Sequence, residues 1–374
     1  MRLLYVTDAL AIYGGLERIL VDKANRFSEE SGYEVFLITV NQGKHPIVYP
    51  LNLQVKYMDI GIQFHQIYNY KGVRKLWKFI QLRWRYQRRI KEKIGEIAPD
   101  IIISLRIELT GAIVKVKKDI PIIYEAHTFW REPRQLAAKY FPRLLLYGKI
   151  DETAMQKIVA LTEGDAAEWR KITPRVCAIP NIVNLNKTGR LSDCKAKSVI
   201  FVGRLAGQKD IGSLLGIWKL VHQTHPDWEL RIFADYGNED NIWRPIIEQM
   251  DAHISLFPPT PYIIDEYLKS SIFVLTSVFE PFGLVLPEAM SCGLPVVAFD
   301  CPYGPASIIT DEVDGFLIPN RDIRLFAVKV CLLMEDESLR LKMGKAGSVS
   351  SLRYDAGNII PQWKQLFEQL TEEK

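Results

Sequence analysis

The chain has 374 residues, 48% of them hydrophobic and 25% charged, too long for one ordinary core and suited to a soluble protein of two domains. No apolar run approaches the roughly 20 residues of a membrane span, and the opening Met-Arg-Leu-Leu-Tyr-Val-Thr-Asp turns polar too soon for a signal peptide. The net charge of +4 is unevenly placed: residues 1–185 carry 29 Lys and Arg against 19 Asp and Glu, residues 186–374 carry 19 against 25, so only the first half suits an anionic surface.

Residues 1–8 read as a first buried strand. Ala11-Ile12-Tyr13-Gly14-Gly15-Leu16-Glu17-Arg18 then opens a helix with Ile19, Leu20 and Ala24 on its apolar face. Gly14 and Gly15 permit a tight turn or close approach of a ligand. The spacing lacks Gly-x-Gly-x-x-Gly, so no dinucleotide fingerprint is present. Glu34–Val40 and Gln54–Met58 are further strands, and strand–helix–strand at this spacing implies a parallel sheet.

Residues 71–97 are dense in cations. On a helical wheel Phe79, Leu82, Tyr86, Ile90, Ile94 and Ile97 form one apolar stripe, and Val73, Trp77, Ile80 and Trp84 a second, roughly 130° away. Most of the cations, Arg85 and Arg88 among them, fill the remaining arc. The first stripe should pack on the sheet. The second is either the outer face of a long core-packing helix or a surface for anionic lipid headgroups or an acceptor. Nucleic acid is a third and weaker reading, because no nucleic-acid-binding motif accompanies the charge, and it is not the expected partner.

Asp100–Ser104 and Pro121–His127 are the next strands. His127 stands where its strand meets the loop Thr128-Phe129-Trp130, the end at which α/β sheets bind ligands. Lys157–Thr162 and Val176–Asn181 complete a first sheet. Residues 184–198 are polar and unpatterned and read as a linker. A second α/β set follows. Strand Ser198–Leu205 leads into Gln208-Lys209-Asp210, and Arg204 and Lys209 can reach one diphosphate, the first as a fork of donors, the second as a point charge. After strand Glu229–Ala234 comes Asp235-Tyr236-Gly237, and after Ile254–Phe257 a proline-rich loop to Tyr262.

Between the apolar runs Ile272–Leu275 and Val296–Phe299 lies Glu280-Pro281-Phe282-Gly283-Leu284-Val285-Leu286-Pro287-Glu288. It reads as loop and helix, with Pro287 in the first turn, where its missing N–H costs nothing. Gly283 brings backbone N–H groups to a helix start, a geometry that holds anions. Glu280 and Glu288 place two carboxylates beside it. Carboxylates next to an anion-binding turn suit a ligand with hydroxyls and phosphates together, such as a nucleotide sugar. The turn Asp300–Pro305 follows, then strand Gly315–Pro319 and three helices, the last at 357–370. Cys177, Cys194, Cys292, Cys301 and Cys331 show no Cys-x-x-Cys spacing and read as reduced residues of a cytosolic protein.

Taken in order, Gly14-Gly15-Leu16-Glu17-Arg18, Leu161-Thr162, Pro180-Asn181, Gly203-Arg204-Leu205 with Lys209, Glu280-x7-Glu288 with Pro281-Phe282-Gly283, Ser291-Cys292-Gly293-Leu294-Pro295-Val296 and Asp314-Gly315-Phe316 resemble a retaining family-4 glycosyltransferase of the GT-B fold. The resemblance spans nearly the whole chain. It implies two Rossmann-like domains with parallel sheets facing across a cleft: residues 1–185 on the acceptor side, residues 186–356 binding the nucleotide sugar, and a helix at 357–374 crossing back to the first domain. It implies that Arg204 and Lys209 hold the donor diphosphate, that Glu288 binds the ribose, and that Glu280 with the backbone of Phe282, Gly283 and Leu284 holds the sugar. Gly14 and Gly15 would meet the diphosphate, and His127 would lie near the reacting sugar. No metal and no other cofactor is expected: cations and N–H dipoles would carry the leaving-group charge, and the chain has no Asp-x-Asp. The Asp300–Pro305 turn resembles members that build bacterial surface polysaccharides from UDP-hexoses. The expected reaction moves a hexose or N-acetylhexosamine, with retention, to a glycan or lipid-linked acceptor in polysaccharide or lipopolysaccharide synthesis. Its expected place is the cytoplasm, peripheral on the inner face of the plasma membrane. Ala234-Asp235-Tyr236-Gly237 and Phe257-Pro258-Pro259 depart from the family's glycine-bearing loops and bear on base specificity. A nucleotide-sugar epimerase on the same fold and a non-catalytic basic membrane- or anion-binding protein are the competing readings.

Overall fold

A computed structural model describes residues 1–127, 154–235 and 239–372. Thr128, Phe129 and Trp130 beyond His127, and Tyr236 and Gly237 beyond the strand that starts at Glu229, lie outside the described residues. The chain divides into two compact units, Met1–Ile182 with Ile360–Lys374, and Val183–Ile359.

The first unit runs β1 (Arg2–Thr7), α1 (Gly15–Glu29), β2 (Glu34–Thr39), β3 (Lys56–Asp59), α2 (Gly72–Ile97), β4 (Ile101–Ser104), α3 (Ile107–Val114), β5 (Ile122–Ala126), β6 (Lys157–Ala160), α4 (Glu163–Arg170) and β7 (Val176–Ala178). Its seven strands are all parallel, in the order β3-β2-β1-β4-β5-β6-β7. The central strands are apolar on both faces, as a sheet covered by helices on each side requires. Leu4 lies level with Phe36 on one side and Ile102 on the other. In α2 the buried side chains are Phe79, Leu82, Tyr86, Ile90, Ile94 and Ile97, the first apolar stripe of the wheel.

The second unit runs β8 (Ser198–Arg204), α5 (Ile211–Thr224), β9 (Glu229–Asp235), α6 (Asp240–Gln249), β10 (Ile254–Phe257), α7 (Ile263–Leu268), β11 (Ile272–Leu275), α8 (Val285–Ser291), β12 (Val296–Asp300), α9 (Gly304–Ile308), β13 (Gly315–Pro319), α10 (Ile323–Glu335) and α11 (Glu337–Ser350). Its six strands are again parallel, in the order β10-β9-β8-β11-β12-β13. The last helix, α12 (Ala356–Glu372), lies mostly in the first unit. There Trp363 and Phe367 are buried, Phe367 packs 5.3 Å from Phe27, and Lys364 pairs with Glu30 at 2.5 Å.

Residues 184–198 are not a free tether. Leu185 and Cys194 are buried, the Asn186 N–H donates to Ser291 Oγ at 3.0 Å, Ser192 Oγ donates to the Ser270 carbonyl at 2.6 Å, and Arg340 Nε donates to the Cys194 carbonyl at 3.2 Å. The segment looks polar because its short side chains bond to second-unit backbone, so that unit begins at Val183. In each sheet the strand order reverses once, between β1 and β4 and between β8 and β11. The carboxyl ends of the strands at such a reversal form the crevice in which open α/β sheets hold ligands.

Candidate active site

In the second unit that crevice is built by the loop after β8 and the loop after β11. Arg204 ends β8 with an exposed side chain. The chain then turns through Gly207–Lys209, and Asp210 caps α5 by accepting from the Ser213 N–H at 3.2 Å. The two loops are stitched together by side chains that the motif reading did not single out. Thr276 Oγ1 donates to the Lys209 carbonyl at 2.8 Å, Gln208 Nε2 donates to the Phe279 carbonyl at 3.2 Å, and the Val278 N–H donates to the Gln208 carbonyl at 2.9 Å.

These bonds bring Lys209 to Glu280. Lys209 Nζ donates to Glu280 Oε2 at 2.5 Å, and Ser277 Oγ donates to the same oxygen at 3.1 Å. Both side chains of the ion pair are only about a tenth exposed. A largely buried carboxylate fixed by an ammonium and a hydroxyl acts as a hydrogen-bond acceptor. Gly203 makes room for the lysine: a Cβ there would lie 3.3 Å from Lys209 Cε.

The backbone of Glu280 is clamped by the turn that follows β12. The Glu280 N–H donates to the Pro302 carbonyl at 2.7 Å, and its own carbonyl accepts from Tyr303 at 3.0 Å and from Gly304 at 2.8 Å. Only glycine fits at 304, since a Cβ would stand 1.9 Å from the Phe282 carbonyl oxygen. Gly283 has φ +93°, in the left-handed region, and a Cβ there would sit 3.0 Å from Glu280 Cγ. Past it α8 opens, with the Leu286 N–H bonded to the Gly283 carbonyl and the Glu288 N–H to the Leu284 carbonyl. Phe282 is buried edge-on to Tyr354, 5.2 Å between ring centroids. Glu288, on α8, is 3% exposed, deeper in the unit than Glu280. Burial, and then the charge of Glu280, push the Cys301 thiol up to about 12, so it packs as a neutral side chain.

Gly14, Gly15 and His127 belong to the first unit. Gly14 caps α1, and a Cβ on it would come 2.1 Å from Glu17 Oε2, so the glycine leaves space for a carboxylate at the helix start. His127 follows β5 and is 5% exposed. It turns toward Glu125: Nε2 lies 3.1 Å from Glu125 Oε1. Glu125 is also bonded by Lys23, whose ammonium lies 4.0 Å from the centroid of the Trp363 ring. Burial raises the Glu125 pKa, but Lys23 and His127 outweigh it and hold the carboxyl down at about 2. This buried cluster joins α1, β5 and α12 and left no local signal in the sequence.

Other members of the motif set serve the fold. Thr162 caps α4 by accepting from Asp165, and Asp314 accepts from the Thr310 N–H and from Ser350 Oγ. A Cβ at Gly315 would lie 2.5 Å from the Val296 carbonyl oxygen.

Known proteins carry the same pattern. A profile described as Glycosyltransferase Family 4 matches residues 13–187, and one described as Glycosyl transferases group 1 matches residues 176–349. An uncharacterized glycosyltransferase of Haemophilus influenzae is 27% identical over 359 residues, covering 94% of this chain and 95% of its own length. The amylovoran biosynthesis glycosyltransferase AmsD of Erwinia amylovora is 27% identical over 98% of this chain and 99% of its own. The crystal structure of a mutant of S. aureus TarM in complex with UDP, alpha-GlcNAc-glycerol and fondaparinux matches with a TM-score of 0.78 at 16% identity, over 98% of this chain and 99% of that one. This last likeness is one of fold. With both profiles together spanning residues 13–349 and full-length relatives of one class, the chain belongs to the family-4 glycosyltransferases, on a GT-B fold of two Rossmann-like domains.

Proposed function

We propose that this glycosyltransferase moves a hexose or N-acetylhexosamine from a UDP-sugar, with retention, to a glycan or lipid-linked acceptor in bacterial surface polysaccharide assembly, working in the cytoplasm. The observation that carries the reading is the Lys209–Glu280 pair at the β8/β11 reversal, in the loops that follow these strands, with Arg204 as the last residue of β8. Arg204 and Lys209 supply fixed positive charge to a departing diphosphate, and such preorganised charge is worth most in a partly dry site. Glu280, held as an acceptor by Lys209 and Ser277, takes hydrogen bonds from sugar hydroxyls, with the N–H groups of Phe282, Gly283 and Leu284 beside it. Glu288 is assigned to the ribose. His127 is assigned to the reacting sugar and Gly14 and Gly15 to the diphosphate. This division of labour needs no metal ion.

The preference for UDP draws on two supports: the Asp300–Pro305 turn, whose sequence resembles that of UDP-hexose users, and the UDP complex of the TarM mutant. The amylovoran relative supports polysaccharide as the product class. Thermal melting of the chain against a panel of UDP-, GDP- and ADP-sugars tests the proposal, because a ligand that binds the folded state raises Tm by mass action. A rise confined to UDP-sugars is expected. A rise with GDP- or ADP-sugars alone overturns the choice of base.

A further inference from the structure

The second apolar stripe of α2 has nothing over it among the described residues. Val73, Leu76, Trp77, Ile80 and Trp84 are between 46 and 71% exposed, although the opposite face of the same helix is fully buried. From Val73 to Trp84 the stripe runs about 16 Å along the helix. Five large apolar side chains in one line are not the scattered exposure normal for a surface. Four of them, Val73, Trp77, Ile80 and Trp84, line an open depression together with Tyr70, Arg74 and Lys78.

Cations flank the stripe. Lys71, Arg74, Arg85, Arg88 and Lys91 are exposed. Lys75 lies over the Tyr68 ring at 5.0 Å, and Arg88 over the Trp84 ring at 5.9 Å. The only acids on α2, Glu92 and Glu96, are near its far end and face Arg88 at 3.3 Å and Lys93 at 2.6 Å. The face is therefore apolar along one edge and positive along the next.

We propose that this face of α2 is a docking surface for an anionic phospholipid bilayer, with α2 lying in the plane of the headgroups. The tryptophans sit at the boundary of headgroup and acyl chain, where an amphipathic ring is favoured. Val73, Leu76 and Ile80 enter the acyl region, and the arginines and lysines meet lipid phosphates. Two other occupants fit worse. A second copy placed face to face would set the arginine rows of the two chains against each other. A nucleic acid would use the cations and the aromatic rings but would give the aliphatic side chains no apolar partner. The inference does not depend on which donor the enzyme uses. It deepens the acceptor reading, since a bilayer-bound enzyme meets lipid-linked acceptors in two dimensions.

Co-sedimentation with vesicles tests it. The full chain should pellet with phosphatidylglycerol–phosphatidylcholine vesicles and stay in solution with phosphatidylcholine alone. Trp77→Ala with Trp84→Ala, and separately Arg74→Glu with Arg85→Glu and Arg88→Glu, should each lower partition at least about tenfold while leaving the melting temperature unchanged. In the unaltered chain, quenching of tryptophan emission by brominated acyl chains gives a reading that no variant can confound by misfolding. Equal pelleting with phosphatidylcholine, absence of quenching, or variants that pellet like the parent would each overturn the proposal. So would light scattering that shows a dimer abolished by the tryptophan substitutions, which would assign the face to a second copy. UDP release to a soluble acceptor is read in parallel: if it persists in non-binding variants the transferase reading stands on its own, and if it is absent from the parent the vesicle result is unaffected.

Discussion

Lys209 and Glu280 are 71 residues apart in the chain, yet Nζ and Oε2 are 2.5 Å apart in the fold. Neither element carries the pair alone: one follows β8, the other follows β11, and the parallel pairing of those strands sets the distance. In the proposed donor site this pair would link the diphosphate end, at Lys209, to the sugar end, at Glu280. A donor diphosphate would compete with Glu280 for the ammonium, so binding and release of Lys209 are coupled to Glu280.

Lys209→Ala is therefore expected to do two things. It removes the proposed phosphate ligand, with a loss of about 10²-fold or more in kcat/KM. It also leaves a largely buried carboxylate without its cation, costing about 1–3 kcal/mol of stability. Adding Glu280→Gln to that variant should restore the stability and not the activity. Denaturant titration and steady-state UDP release measure the two effects separately.

Two glycines are expected to be intolerant for different reasons. In Gly304→Ala the new methyl meets the Phe282 carbonyl oxygen, and backbone must shift at a cost of about 1–3 kcal/mol. In Gly283→Ala the left-handed φ adds about 1–2 kcal/mol of strain, and the methyl presses on Glu280. Both should weaken donor binding. Gly95→Ala on α2, where nothing lies within 4 Å of the added carbon, should stabilise by about 0.5–1 kcal/mol and leave binding alone.

The Lys23–Glu125–His127 cluster gives a pH signature. Glu125 titrates at about 2 in the folded chain against an ordinary 4.5. Between those values the unfolded chain binds a proton that the folded chain does not, so stability rises with pH there. The contribution is fully present above pH 4.5 and is lost as pH falls toward 2. Glu125→Gln should remove this limb from a plot of Tm against pH, at a cost near neutral pH of about 3–5 kcal/mol for the Lys23 ammonium left behind. Lys23→Met added to Glu125→Gln should recover most of that cost.

Transfer is also expected to proceed undiminished in excess chelator. The proposed charge carriers are Arg204, Lys209 and backbone N–H groups, and the chain lacks Asp-x-Asp. A rate that falls on chelation and returns with a divalent cation would contradict that assignment.

Much of the fold was legible because parallel strands and packed helices leave local periodic marks. The stripe from Phe79 to Ile97 is the buried face of α2, and Ile101–Ser104 is β4. The apolar runs at Ile272 and Val296 are β11 and β12. What stayed hidden was pairing over long separations. His127 could be seen to end a strand, but nothing local shows it turned toward Glu125, at the same carboxylate oxygen that Lys23 bonds. The Asp300–Pro305 turn could be seen to be rigid, but its bonds to the Glu280 backbone depend on how β11 and β12 lie side by side. The stretch 184–198 lost its apparent freedom for the same reason: its partners, Ser270, Ser291 and Arg340, are distant in the chain.

Calorimetric titration of UDP and UDP-sugars into the parent chain and into Arg204→Ala and Lys209→Ala shows whether these two cations hold the donor diphosphate. The parent should bind, each substitution should weaken binding at least about tenfold through loss of a charge-assisted phosphate contact, and UDP should compete with the sugar-bearing donor. Absence of nucleotide binding by the parent, or undiminished binding by Lys209→Ala, would contradict that role.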